Sequence, residues 1–333
     1  MRLAIGVDLG GTKMALGVVG EDRSVLYRST MATAALELEP LLEMLEAELR
    51  AALEAEPDAE AIGLGIPSTI DRKRGYAISS VNLPIVDVPI RDLVSERLGL
   101  PTFIDNDANL AALAEQRFGA GEGARNVVLL TIGTGIGGGL VLEGEVYRGT
   151  RGAGAELGHV VIDADGPPCQ GNCPNRGCVE TLASGTALGR EGRLAAEANP
   201  DSVLGVALAE GEDVDGRFVT EAAIAGDAVS IEVVGLIGRR LGVALSSLAN
   251  IFEPDAIVLG GGAAAAGELM FAPAREVLRS RALPPMNETP VIAAELGVEA
   301  GMIGAATMAL EDNAVASGTA VASRTATAPG KQS

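Results

Sequence analysis

One histidine and three cysteines are the scarcest reactive groups of this chain, and they fall together as His159, Cys169, Cys173 and Cys178. One imidazole nitrogen and three sulfurs make a tetrahedral zinc set of the Cys3His class. Thiols can also be buried as small apolar groups. The segment around them, however, reads Gly166-Pro167-Pro168, Gly171-Asn172 and Pro174-Asn175-Arg176-Gly177, and such turn-rich sequence cannot build a core of its own. A closed four-ligand shell leaves no position for water, so the zinc expected here is structural. The same scarcity excludes a serine hydrolase served by a remote histidine and any mechanism needing two histidines. Three cysteines confined to one segment also argue against a disulfide framework.

Carboxylates and amides supply the remaining chemistry. Asp105-Asn106-Asp107-Ala108-Asn109 sits at a strand end opening a helix. It reads as a helix cap, as a general base with an amide that orients a hydroxylated ligand, or as both. Glu156-Leu157-Gly158-His159 and Glu180 add two carboxylates beside the imidazole; they fit a small polyhydroxyl ligand or a solvated turn. Glycine turns carrying a threonine suit phosphate, because bare N–H groups approach the oxygens and the hydroxyl adds a donor. Two such turns, Gly10-Gly11-Thr12-Lys13 and Gly133-Thr134-Gly135-Ile136-Gly137-Gly138-Gly139, and a third glycine element, Gly260-Gly261-Gly262, point to a nucleotide. Neither G-x-x-x-x-G-K-[ST] nor a strand–helix G-x-G-x-x-G is present, which excludes the P-loop and dinucleotide folds.

The elements that must carry these groups follow from periodicity. Leu3–Asp8 and Met14–Val19 read as strands flanking the first glycine turn. A helix follows near Pro40, with Leu38, Leu41, Leu45, Leu49 and Leu53 on one face. Ala61–Ile66 and Phe103–Asp105 read as strands, and 107–118 as a helix. Val127–Ile132 and Leu140–Glu143 repeat the strand–glycine–strand plan about 120 residues later, the mark of a duplicated core. Glu232–Ala249 reads as a long helix, Ala256–Leu259 as a strand, and 296–310 as a glycine turn entering a last helix. The Ala/Ser/Thr-rich tail beyond Glu311 has too little apolar content to order itself.

Composition narrows the partners. With 45 acids against 25 bases, three lysines (Lys13, Lys73, Lys331) and eight scattered Phe and Tyr, the chain has no basic or stacking surface for nucleic acid. The longest uncharged run, 126–142, is glycine-rich and too short for a membrane span. The opening strand does not fit a signal peptide. A cytoplasmic protein is expected.

In these motifs the chain resembles the ROK family of repressors and sugar kinases, in particular its bacterial glucokinase group, within the hexokinase–actin superfamily. The motifs that carry the resemblance are Asp8-Leu9-Gly10-Gly11-Thr12-Lys13, Thr131 to Gly139, Asn106-Asp107-Ala108-Asn109, Glu156-Leu157-Gly158-His159, Gly177-Cys178-Val179-Glu180 and Gly260-Gly261-Gly262. The resemblance implies an α/β, two-domain actin/hexokinase-like (ribonuclease H-like) fold with ATP and sugar in the interdomain cleft. Its implied layout is a smaller domain over 1–105, joined by the C-terminal helix near 301–311, a larger domain over 106–300 carrying the zinc motif, and a disordered tail over 312–333.

It further implies MgATP-dependent phosphorylation of the 6-hydroxyl of glucose, with Asp107 as general base. Gly65, Ser68, Asn106, Glu156, His159 and Glu180 would join Asp107 around the sugar. Gly10, Gly11, Thr12, Lys13, Thr134 and Gly135 would cradle the phosphates, Gly261 and Gly262 would approach the adenosine, and Asp8 would lie near Mg²⁺ through water. His159 would serve both zinc and sugar. A homodimer or higher homo-oligomer is implied.

Two departures from the family pattern bear on this. The first cysteine loop, Cys169 to Cys173, is longer than usual, which makes Cys169 the least secure ligand. The strand-end turn reads Gly65-Ile66-Pro67-Ser68, with Ser68 where the family has glycine, which touches sugar selectivity. The rival expectations are a kinase for another hexose such as N-acetylmannosamine or N-acetylglucosamine, a polyphosphate donor, and a sugar-responsive transcription regulator. The first strand at Leu3 leaves no room for the regulator's N-terminal helix-turn-helix.

Overall fold

Apolar residues on both faces make β1 (Leu3–Leu9) a central strand. It turns through Gly10–Thr12 into the antiparallel β2 (Lys13–Gly20), and β3 (Val25–Ala32) completes the outer edge. α1 (Leu38–Ala55) buries Leu41, Leu45 and Leu49 at helical spacing. β4 (Ala59–Ile66) returns parallel to β1. A small antiparallel sheet, β5 (Ser68–Asp71), β6 (Tyr76–Ser80) and β7 (Val86–Val88), precedes α2 (Ile90–Leu98). β8 (Thr102–Asn106) then lies parallel to β4 and runs straight into α3 (Asp107–Phe118). The computed structural model describes residues 1–80 and 82–318.

The plan then repeats. β9 (Val127–Ile132), β10 (Ile136–Leu142) and β11 (Glu145–Val146) form a second antiparallel run. Five helices follow: α4 (Val179–Ala183), α5 (Gly185–Ala198), α6 (Val203–Ala209), α7 (Gly216–Ile224) and the long α8 (Ala228–Phe252). β12 (Ala256–Gly260) joins β9 in parallel, α9 (Glu268–Arg281) crosses over, and β13 (Val291–Ala293) joins β12 in parallel. The two five-stranded sheets, β3-β2-β1-β4-β8 and β11-β10-β9-β12-β13, therefore share one order and one set of strand directions. The duplication expected from the glycine turns is a duplication of whole sheets.

α3 and the last helix, α10 (Ala300–Ala316), are packed into one apolar cluster with Ala4 and Ala61 of the first sheet and Leu129 and Val258 of the second. From Ala300 to Leu310 every residue of α10 is buried, as its unbroken small and apolar sequence requires. Gly63 allows this seating, since a Cβ there would overlap the Ala305 carbonyl. α10 corrects the expected start of the tail: it remains helical past Glu311 to Ala316, and Asp312 pairs with Arg72. The part of that tail over 319–333 lies outside the described residues. Among the described residues no helix is long and apolar enough to cross a membrane.

Candidate active site

β1 and β2 deliver the turn Gly10-Gly11-Thr12-Lys13. The Gly10 N–H donates to the Lys13 carbonyl at 2.9 Å and closes it. Thr33, buried just past β3, grips the turn twice. Its hydroxyl donates to the Gly10 carbonyl at 2.6 Å and its N–H to the Thr12 carbonyl at 3.0 Å. Two acceptors that would repel a phosphate are thereby engaged. Asp8 lies just ahead, against the start of α10, where a Cβ on Gly301 would fall 2.6 Å from its carboxyl carbon. Burial and then the neighbouring Asp107 carboxylate push the Asp8 carboxyl up to about 7, against the opposing pull of Lys13.

β8 hands the chain to α3 at the expected cap. The Asn106 side chain accepts from the N–H groups of Ala108 at 3.0 Å and Asn109 at 3.2 Å. Asn106 thus carries most of the capping, while Asp107 accepts from Ala108 N–H at 2.9 Å with one oxygen. Burial raises the Asp107 carboxyl above its ordinary range; the Ala108 N–H opposes this and Glu156 adds to it. Gly65, at the end of β4, lets that strand approach: a Cβ there would lie 3.0 Å from Leu110 and 3.7 Å from the Asp107 Cα. Ser68 is buried on β5, and its hydroxyl donates to the Ser79 carbonyl at 2.8 Å within the small sheet.

The second glycine element is shorter than the sequence suggests. β10 already begins at Ile136, so Gly137, Gly138 and Gly139 belong to a strand. They serve close packing: a Cβ would lie 2.6 Å from Leu157 at Gly138 and 2.5 Å from the Ala108 carbonyl at Gly139. The turn proper is Gly133-Thr134-Gly135, closed by Gly133 N–H to the Gly135 carbonyl at 2.9 Å. The start of α5 holds it from behind. Gly185 N–H donates to the Gly133 carbonyl and the Thr186 hydroxyl to the Thr134 carbonyl, each at 2.7 Å. Glu180, on α4, accepts from the Ile136 N–H at 2.9 Å.

A cavity of about 640 Å³ opens beside this turn, lined by Gly133, Thr134, Gly185, Gly216, Gly262 and Ala263. Its walls are glycine-rich and its rim carries the pairs Arg193–Asp213 and Arg217–Glu221. Gly261, at a φ of 86°, could not carry a Cβ without meeting Ile132 at 2.5 Å. The structure thus gathers Thr134 and Gly262 at one cavity, whereas Asp8 and Asp107, with Glu156 within electrostatic reach of Asp107, lie outside its lining. Gly10, Gly11 and Thr12 do not line that cavity. Thr33, Thr186 and the rim arginines are absent from the sequence reading, because they act from outside any glycine motif.

The four candidate metal ligands meet. Their donor atoms all lie within 4.8 Å of one another. His159 Nδ1 is 3.6 Å from Cys169 Sγ, and Cys173 Sγ is 3.9 Å from Cys178 Sγ. Tetrahedral zinc, with Zn–S near 2.3 Å and Zn–N near 2.0 Å, requires about 3.8 Å between sulfurs and about 3.5 Å from nitrogen to sulfur. The donor set and its spacing fit zinc, and Cys169 is drawn in despite its longer loop. Burial and the two neighbouring sulfurs push the Cys169 thiol up to about 12. Gly177 makes the fold of this loop possible at a φ of 61°, where its Cα sits against the Asp163 carbonyl.

The chain is similar along its length to known proteins. The model of the ROK family matches residues 4–312. A glucokinase of Thermotoga maritima is 37% identical over 318 residues, covering 92% of this chain and 97% of that protein. The crystal structure of a ROK family glucokinase from Streptomyces griseus, in complex with glucose and AMPPNP, superposes with a TM-score of 0.81 at 38% identity, over 93% of this chain and 99% of that one. A ROK family transcriptional regulator, a homologue of the E. coli MLC protein, superposes with a TM-score of 0.83 at 27% identity, over 92% of this chain and 77% of that one. The duplicated α/β fold is therefore shared with kinases and regulators alike, and this chain belongs to the ROK family.

Proposed function

We propose that this protein is a glucokinase, transferring the γ-phosphoryl group of MgATP to the 6-hydroxyl of glucose. The observation that carries the reading is the nearness of Asp8 to Asp107: Asp8 pairs in register with Gly65, and a Cβ on Gly65 would lie 3.7 Å from the Asp107 Cα. The similarity to glucokinases of T. maritima and S. griseus supports it. Asp107 accepts the proton of the 6-hydroxyl as that oxygen attacks phosphorus, and burial raises its proton affinity above that of an ordinary carboxylate. Gly65, Ser68, Asn106, Glu156, His159 and Glu180 surround the sugar. With Nδ1 of His159 turned to the sulfurs, its Nε2 is left to face a hydroxyl.

Gly10, Gly11, Thr12, Lys13, Thr134 and Gly135 hold the phosphates, and Gly262, which lines the 640 Å³ cavity, borders the adenosine with Gly261 beside it. Asp8 is the carboxylate suited to Mg²⁺, through water; the ion arrives with ATP and neutralises phosphate charge. Zinc, when bound by His159, Cys169, Cys173 and Cys178, fixes the imidazole and its loop. The two lobes, 1–105 with the helix near 301–311 and 106–300, close over the sugar and exclude competing water. The reading extends to a cytoplasmic enzyme acting as a homodimer or higher homo-oligomer.

The test is ADP formation over a panel of hexoses, with ATP and with polyphosphate as donor. Glucose with ATP is the expected pair. Preference for N-acetylmannosamine or N-acetylglucosamine would overturn the substrate, and turnover with polyphosphate alone would overturn the donor.

A further inference from the structure

We propose that Arg148 and Asp105 are positioning residues that fix the start of α3, and with it the Asp107 carboxyl, to the second sheet. The proposal rests on Asp107 being the base. Asp105 is the last residue but one of β8, with its side chain only 2% exposed, an expensive place for a carboxylate without partners. Its two oxygens face different ways. Oδ1 accepts from the Asn106 N–H at 2.8 Å and from the Asn109 side-chain amide at 3.2 Å. Oδ2 accepts from Arg148 Nε at 2.5 Å, with Arg72 Nε farther off at 3.9 Å.

Asn106 and Asn109 bracket Asp107 on the helix, so one oxygen of Asp105 grips the chain on both sides of the base. The other is held by a residue just beyond the edge strand of the opposite sheet. Arg148 follows β11, and its Nη1 donates to the Val146 carbonyl on that strand at 3.1 Å. A second observation points the same way. Asn109 is buried, and its Oδ1 has no hydrogen-bond partner. Its amide is turned to serve Asp105 although this leaves the oxygen unmatched, so the contact to Asp105 sets its orientation. Arg72 is committed elsewhere, to Asp312 of α10, which leaves Arg148 as the close cation.

A buried pair that served stability alone could sit anywhere in the lobe junction. This one ends on the two residues that place the base, where a displacement of about 1 Å can cost 100-fold in rate. Arg148→Met is expected to lower kcat about 10- to 100-fold, with KM for glucose and for ATP within about twofold of wild type. Arg148→Lys is expected to recover part of the loss. Asp105→Asn with Arg148→Met is expected to be no slower than the worse single variant, because both break one link. Should Arg148→Met not fold, Arg148→Gln takes its place with the same expectations.

Wild-type kcat in the folded variant would overturn the proposal, as would fully additive losses or equal rises in both KM values. Asp107→Asn is measured alongside. Retained turnover there removes Asp107 as the base, whereas an inactive Asp107→Asn beside a fully active Arg148→Met removes the positioning role alone.

Discussion

The carboxylate of Glu180 accepts a hydrogen bond from the backbone N–H of Ile136 at 2.9 Å. Glu180 lies just past the metal-ligand candidate Cys178, and Ile136 is the first residue after the Thr134-Gly135 turn. The carbonyl of Ile136 meets the same region, because it packs against Gly158, where a Cβ would overlap it. Gly158 stands between Glu156 and His159. The loop that carries Glu156 and His159 and the Thr134-Gly135 turn are thus fastened at one residue.

Removing that link should therefore affect both substrates. A hydrogen bond to a charged group contributes about 1.5–3 kcal/mol, so Glu180→Leu is expected to raise KM for ATP as well as for glucose, each by about tenfold or more. Glu180→Gln keeps an acceptor for the Ile136 N–H and should spare ATP more than glucose. Steady-state titration of each substrate at saturating levels of the other checks this. A change confined to glucose would reduce Glu180 to a sugar contact.

Asp107→Asn keeps the shape of the α3 start and removes the carboxylate proposed as the base. General-base catalysis contributes about 10²- to 10⁴-fold, and turnover should fall by that order. Glucose affinity, measured calorimetrically, should stay within a few-fold of wild type, because the remaining sugar contacts persist.

The raised carboxyls make a prediction of opposite sign for stability. Asp8 is held protonated up to about pH 7, well above its ordinary 3.8. Between those values the folded chain binds more protons than the unfolded chain, so stability falls as pH rises across that window. Asp8→Asn removes the charge and should stabilise the fold at pH 8 by an amount on the order of a few kcal/mol, read as a higher melting temperature. At pH 4, at the lower edge of the window, the difference should be small. Melting curves at the two pH values in the absence of nucleotide and magnesium give the comparison.

The zinc set is tested by metal content. One zinc per chain is expected in purified protein, with loss in Cys173→Ser and Cys178→Ser and a lower melting temperature in both. Cys169→Ser should lose it as well, since Cys169 Sγ lies 3.6 Å from His159 Nδ1 in a separation that zinc would bridge. Mass spectrometry of the native protein reads the stoichiometry, and a metal-free wild type would end the assignment.

Much of this arrangement was legible in the sequence because it is written in local pattern. The strands around each glycine turn follow from apolar runs, the cap at Asn106 from its place before a helix, and the metal set from the rarity of its members. What was not legible depends on residues distant along the chain. Gly137–Gly139 look like turn residues, and only the packing of Ala108 and Leu157 onto them makes them strand residues. α10 reads as ending near Glu311, because the Ala/Ser/Thr-rich stretch that follows has too little large apolar content; the Arg72–Asp312 pair that accompanies its extension joins positions far apart in sequence. Thr33 belongs to no motif, and its part emerges only when β3 returns it to the first turn.

That part can be isolated. The Thr33 hydroxyl binds the Gly10 carbonyl at 2.6 Å, while its N–H binds the Thr12 carbonyl at 3.0 Å. Thr33→Val deletes the first contact, keeps the second and nearly conserves volume. A neutral hydrogen bond contributes about 0.5–1.5 kcal/mol, so KM for ATP should rise about 2- to 12-fold. Glucose binding without nucleotide should be unchanged, because the sugar groups lie on other elements. Thr33→Ser retains the oxygen and should stay near wild type, which separates the hydroxyl from the methyl it replaces. If Thr33→Val kept the wild-type KM, the turn would owe its shape to its own backbone, and the hydroxyl would be a bystander.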